Sequence, residues 1–192
     1  SRDRTGEPTL VTGRVLSMDG SPIQNAKLDV WQASAEGYYD VQQPEKFPDM
    51  NLRGIFRTDG DGQFGFCTEK PASYPIPTDG PVGEMLRAVG RHAWRPAHIH
   101  FIVSAEEHES LTTHLFVAGD PYLNSDVVQA VKEGLIVDFN ESNDSTEACS
   151  FDLSTPYFKL HEEFVLGPAL SLRSEDHTSE LQSLWNLVCR LL

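Results

Sequence analysis

Several features that would assign this chain quickly to a class are scarce in its 192 residues. It has only three cysteines, Cys67, Cys149 and Cys189, scattered and without a CxxC pair. That excludes a disulfide framework and a thiolate zinc site. No apolar run approaches the roughly 20 residues that a bilayer-spanning helix needs. Positive charge is also short: 15 Lys and Arg stand against 29 Asp and Glu, a formal net charge of −14. Such a surface repels phosphate backbones and anionic lipid, so neither nucleic acid nor a membrane is expected as a partner. No secretory leader precedes the first expected strand, and a cytoplasmic setting is the default expectation. The chain opens at Ser1 rather than Met, so a missing leader carries little weight.

Long helical patterns are few as well. With 12 Pro and 14 Gly, the chain reads as short apolar runs between turns. Strands are expected over 11–18, 26–31, 54–58, 63–67, 97–104, 112–117 and 158–166. Asp59-Gly60-Asp61-Gly62 reads as a hairpin turn; its faint likeness to a calcium loop fails because the first ligand position falls on Arg57. Residues 71–83 hold four prolines and are expected to be irregular. Short helices are expected over 84–90 and 125–132. The fold class is all-β: a two-sheet sandwich with long loops and one or two short helices. Residues 1–12 read as a lead-in, 13–172 as the domain and 173–192 as a tail of different character. In that tail Leu181, Leu184, Trp185, Val188 and Leu191 fall at helical spacing. Arg173 to Ser183 also resembles the translated product of a sequencing adaptor, so no function is assigned there.

The densest chemical signal is Arg95-Pro96-Ala97-His98-Ile99-His100-Phe101. Residues i and i+2 of a strand share a face, so His98 and His100 can present two imidazoles to one metal. A bare pair of this kind is equally compatible with two hydrogen-bonded histidines on a half-buried strand. Joined by Glu106 and His114 it suggests a cupin-like site, but the five residues between His100 and Glu106 are too many for that motif. Tyr39, in AEGYYD, and Tyr74, in PASYPIP, are further oxygen donors near loops. Cys67 and Cys149 read as small buried hydrophobes, Trp31 and Trp94 as packing residues.

The segments DVWQASAEGYYDVQQP, NLRGIFRTDGDGQF, SYPIPTDGPVGEMLRAVGRH and RPAHIHFIVSA, in this order, resemble the intradiol ring-cleavage dioxygenases, most nearly the hydroxyquinol 1,2-dioxygenase branch. The resemblance runs from about Gly13 to Phe139. It implies a prealbumin-like sandwich and a mononuclear ferric iron held by Tyr39, Tyr74, His98 and His100. It also implies Arg95 as an active-site arginine, His114 as a polar residue beside the ligands, and Tyr74 as the tyrosinate that leaves when substrate binds. The implied reaction cleaves hydroxyquinol or a catechol-type diol with O2 to a muconate- or maleylacetate-type dicarboxylate. Full-length relatives would be homodimers carrying an N-terminal helical region that nothing in residues 1–12 replaces. A catalytically inert sandwich or binding module is the other reading, and colour separates the two. Tyrosinate bound to ferric iron absorbs visible light; an inert sandwich does not.

Overall fold

The computed structural model of the protein describes residues 6–169. The tail read as adaptor-like or helical lies outside these residues. Two sheets pack face to face. One has the order β10 (Asn140–Ser142), β11 (Tyr157–Leu166), β1 (Pro8–Ser17), β4 (Gln63–Glu69). The other runs β3 (Arg53–Arg57), β2 (Lys27–Gln32), β7 (His98–Ser104), β8 (Leu111–Val117), β9 (Ile136–Val137). A two-stranded ladder joins β5 (Tyr74–Pro75) to β6 (Trp94–Arg95), and two short helices, α1 (Pro81–Ala88) and α2 (Ser145–Ser150), lie in the connections. Among the described residues no helix is long and apolar enough to cross a membrane.

Alternation along the strands builds the core. Val11, Val15, Leu28, Val30, Phe64, Phe66, Phe101, Leu160 and Phe164 turn inward and form one apolar cluster. On β7, Ile99, Phe101 and Val103 enter this core, so the period of two sends His98 and His100 to the outer face of the same sheet.

Most expected strands are present within a residue or three, and β1 already starts at Pro8, inside the stretch read as lead-in. Several expectations fail. Residues 71–83, expected to be irregular, hold β5 and the start of α1 at Pro81, a position where a helix tolerates proline. The turn at Asp59 to Gly62 does not close a hairpin: β3 pairs with β2, and β4 pairs with β1. It carries the chain from one sheet to the other, which lets Phe56 stack on Phe66 across the sandwich at 4.4 Å between ring centroids. The helix expected over 125–132 is also absent. There the Asp126 carboxylate accepts the Val128 and Ala130 N–H groups, and Gln129 adopts φ of 55°. The side chain thus takes the amides that a helix would have bonded to its own carbonyls. The exposed Cys149 is likewise not the buried hydrophobe expected, while Cys67 is half-buried.

Candidate metal centre

Three pieces of chain converge on the outer face of the second sheet. β7 supplies His98 and His100; the loop after β2 brings Tyr39; β5 brings Tyr74, paired directly opposite Arg95 of β6. All five side chains are buried. The β2–β7 register puts Trp31 beside His100, where the rings stack at 4.6 Å and 5°. The β7–β8 register puts His114 on its other side, with ring centroids 4.5 Å apart. Trp31 therefore does pack, as expected, and the surface it packs is a histidine ring. Trp94 stacks on Tyr122 at 5.1 Å.

The donor atoms meet in one small volume. Tyr39 Oη donates to Tyr74 Oη at 3.0 Å and lies 3.2 Å from His100 Nε2. His98 Nε2 and His100 Nε2 are 3.0 Å apart. His98 Nδ1 sits 2.6 Å from the Pro96 carbonyl oxygen, which can only accept, so Nδ1 carries the proton and Nε2 presents a bare lone pair. Arg95 Nη1 donates to Tyr74 Oη at 3.4 Å. The Arg53 guanidinium, held by Asp40 at 3.0 Å, lies 5.9 Å from the centre of the Tyr39 ring.

Electrostatics prepare these groups to be neutral in the absence of a cation. Burial, then the adjacent Tyr74, pushes the Tyr39 phenol far above its usual range. Burial, then Arg95, holds His98 well below the usual imidazole value; burial, then His98, does the same to His100. Burial and Arg95 push His114 down to about 4. Neutral imidazoles are ready ligands, and two phenols beside them offer anionic oxygen once a cation displaces their protons. Two phenol oxygens and two imidazole nitrogens suit a hard, highly charged metal, so the residues fit the ferric iron implied by the resemblance. Glu106, by contrast, is exposed in the turn after β7 and is not grouped with His98, His100 and His114, whose ligating atoms lie within 4.8 Å of one another. The cupin-like alternative thus lacks its carboxylate.

A pH dependence follows for the metal-free protein. These histidines bind protons less readily when folded, so the unfolded chain takes up protons first as pH falls below about 6.5, and stability drops from there downward. Each contributes a slope of at most about 1.4 kcal/mol per pH unit. Urea unfolding between about pH 7 and pH 5 checks this, and a flat stability profile would contradict it.

Gly37 draws the two tyrosine loops together. It adopts φ of +81°, and a Cβ there would lie 3.0 Å from the Ser73 carbonyl oxygen and 3.2 Å from Tyr74 Cβ. Gly37→Ala is expected to cost about 1–2 kcal/mol and to loosen the Tyr39–Tyr74 approach. Urea unfolding together with the metal affinity of the variant measures both effects. The sequence reading missed Asp126, Arg53 and Asp40, whose roles depend on partners distant along the chain; a buried acid opposite each arginine has no local motif.

A family profile described as dioxygenase matches residues 1–156. A hydroxyquinol 1,2-dioxygenase of Rhizobium sp. (strain MTP-10005) is 52% identical over 166 residues, 86% of this chain and 56% of the relative. A catechol 1,2-dioxygenase of Acinetobacter baylyi is 38% identical over 159 residues, 82% of this chain and 51% of the relative. The crystal structure of hydroxyquinol 1,2-dioxygenase from Pseudomonas putida DLL-E4 superposes with a TM-score of 0.77 at 48% identity, covering 85% of this chain and 57% of that one. The chain thus spans about half the length of the curated relatives it matches. An intradiol ring-cleavage dioxygenase of Aspergillus niger, 38% identical over 184 residues, belongs to the same set. Fold, profile and relatives agree: the chain belongs to the intradiol ring-cleavage dioxygenase family.

Proposed function

We propose that Tyr39, Tyr74, His98 and His100 hold one ferric iron, and that the protein cleaves a hydroxyquinol- or catechol-type diol between its two hydroxyl-bearing carbons. Both atoms of O2 enter the product, a dicarboxylic acid of the muconate or maleylacetate type. One observation carries the reading: two phenol oxygens and two imidazole nitrogens meet at contacts of 3.0–3.2 Å in a chain of this family. Bound ferric iron would supply Lewis acidity towards the diol oxygens and withdraw electron density from the ring.

The remaining chemistry falls to the chain. Two phenolates would cancel two of the three iron charges and the histidines would add none, so negative charge on a diol oxygen is welcome next to Arg95. Tyr74 Oη is placed to accept a proton from a diol hydroxyl, because Arg95 Nη1 steadies that oxygen at 3.4 Å. Tyr39, edge-on to Tyr74 at 88° and with the Arg53 guanidinium 5.9 Å from its ring centre, is the phenol that stays, as the family resemblance implies. Arg95 itself would stabilise negative charge developing on the ring oxygens. His114, half-buried and neutral at pH 7, is a polar neighbour that can orient the diol without joining the ligand set. Hydroxyquinol is preferred over catechol because the Tyr74-Pro75-Ile76-Pro77 run resembles that branch.

Iron-replete expression should yield about one iron per chain and a visible absorption band from tyrosinate-to-iron charge transfer. Added hydroxyquinol should then consume one O2 per ring opened. Zinc at full occupancy with no visible band would refute the reading.

A further inference from the structure

Asp126 lies in the connection between β8 and β9, and no motif marks it. Its side chain is 1% exposed and that of Arg95 is 3% exposed, so the two form a buried ion pair. Asp126 is tied to backbone on several sides. Its Oδ2 accepts the Ala130 N–H at 2.9 Å, its Oδ1 accepts the Val128 N–H at 3.4 Å, and its carbonyl oxygen accepts from Arg91 Nη2 at 3.0 Å. The next residue, Val127, donates its N–H to the Trp94 carbonyl, which couples this connection to β6. The carboxylate is therefore a fixed point.

Arg95 reaches that point with one edge only. Its Nε donates to Asp126 Oδ1 at 3.4 Å, and its Nη1 donates to Tyr74 Oη at 3.4 Å. A guanidinium is planar and carries its donors in a fixed fork, so holding the Nε edge sets where the Nη edge points. A buried arginine without its acid would be both uncompensated and free to turn. We infer that Asp126 is a positioning residue: it holds the Arg95 guanidinium with Nη1 on the Tyr74 oxygen and towards the place where diol charge develops. This rests on the iron reading above.

The test uses the iron-loaded protein with Asp126→Asn, which keeps one acceptor oxygen, enough for the closer Ala130 amide but not also for Val128, and loses the charge. The visible band should shift, because the donor on Tyr74 Oη is displaced. The kcat/KM for catechol should fall about ten- to a hundredfold, as for other groups that orient residues at a metal site. In an Arg95→Ala background, the same Asp126→Asn change should move the band no further. Arg95→Lys supplies a second arm should Asp126→Asn fail to fold. One ammonium cannot bridge the carboxylate and Tyr74 Oη as a guanidinium fork does, so the band should shift with Asp126 intact. An equal shift from Asp126→Asn in both backgrounds, or an unshifted band in Arg95→Lys, overturns the inference and leaves Asp126 a loop anchor. A parent protein with no tyrosinate-to-iron band overturns the iron reading itself, and this inference with it.

Discussion

Tyr74→Phe is expected to leave the protein folded, its iron weakly held and its colour changed, with turnover reduced on the order of a hundredfold or more. The substitution keeps the buried ring and removes only the oxygen, so packing around Ile76 and Leu86 survives. What disappears is one of four donors, the acceptor for Arg95 Nη1 and the acceptor for Tyr39 Oη. With a single phenolate left, the trivalent state of iron is less stabilised. The oxygen placed to take the diol proton is also gone. Metal analysis, the visible spectrum and O2 uptake check the three effects separately. Retention of both colour and rate would mean that Tyr74 is not a ligand.

Arg95→Ala should separate binding from chemistry. It removes no donor from the ligand set, so iron content and a visible band should persist, the band displaced by loss of the hydrogen bond to Tyr74. The rate with catechol or hydroxyquinol should fall about a hundredfold or more, the usual cost of deleting one preorganised electrostatic donor. A second consequence is thermodynamic. The variant strands the Asp126 carboxylate in a site where its side chain is 1% exposed, which costs roughly 3–5 kcal/mol. Asp126→Asn added to Arg95→Ala should recover part of that loss in urea unfolding. A normal rate in Arg95→Ala would exclude the arginine from the chemistry.

The parts of this site that could be read from the sequence are those carried by short, local patterns. His98 and His100 are legible because a strand's period of two places both on one face, and the alternation of Ile99, Phe101 and Val103 tells which face that is. Tyr39 and Tyr74 are legible only through the resemblance, since a tyrosine beside a loop is common for reasons of its own amphipathic character. Asp126 is not legible. Its neighbours suggest a helix, and only the competition of its carboxylate for the Val128 and Ala130 amides shows otherwise. The exchange of sheets between β3 and β4 is hidden for a related reason. A turn rich in Asp and Gly reports that the chain reverses, and says nothing about which strand the next segment pairs with.

The pairing of β1 with β11 has a kinetic consequence. These strands run parallel, and they bring Thr12 into hydrogen-bond contact with His161, 149 residues away along the chain. The sheet that bears the histidines is assembled from segments between β2 and β9 and is faced early by β1 and β4, yet the part of the core made by Leu160, Phe164 and Leu166 is missing until β11 docks between β1 and β10. So large a loop closure comes before the last part of the core can pack, which places folding among the slow, high-contact-order cases, on the order of milliseconds to seconds. During synthesis the side of the core that β11 fills stays open until residues beyond Tyr157 have left the ribosome. That interval is when the chain is most exposed to edge-to-edge aggregation, and when a chaperone would have most to protect.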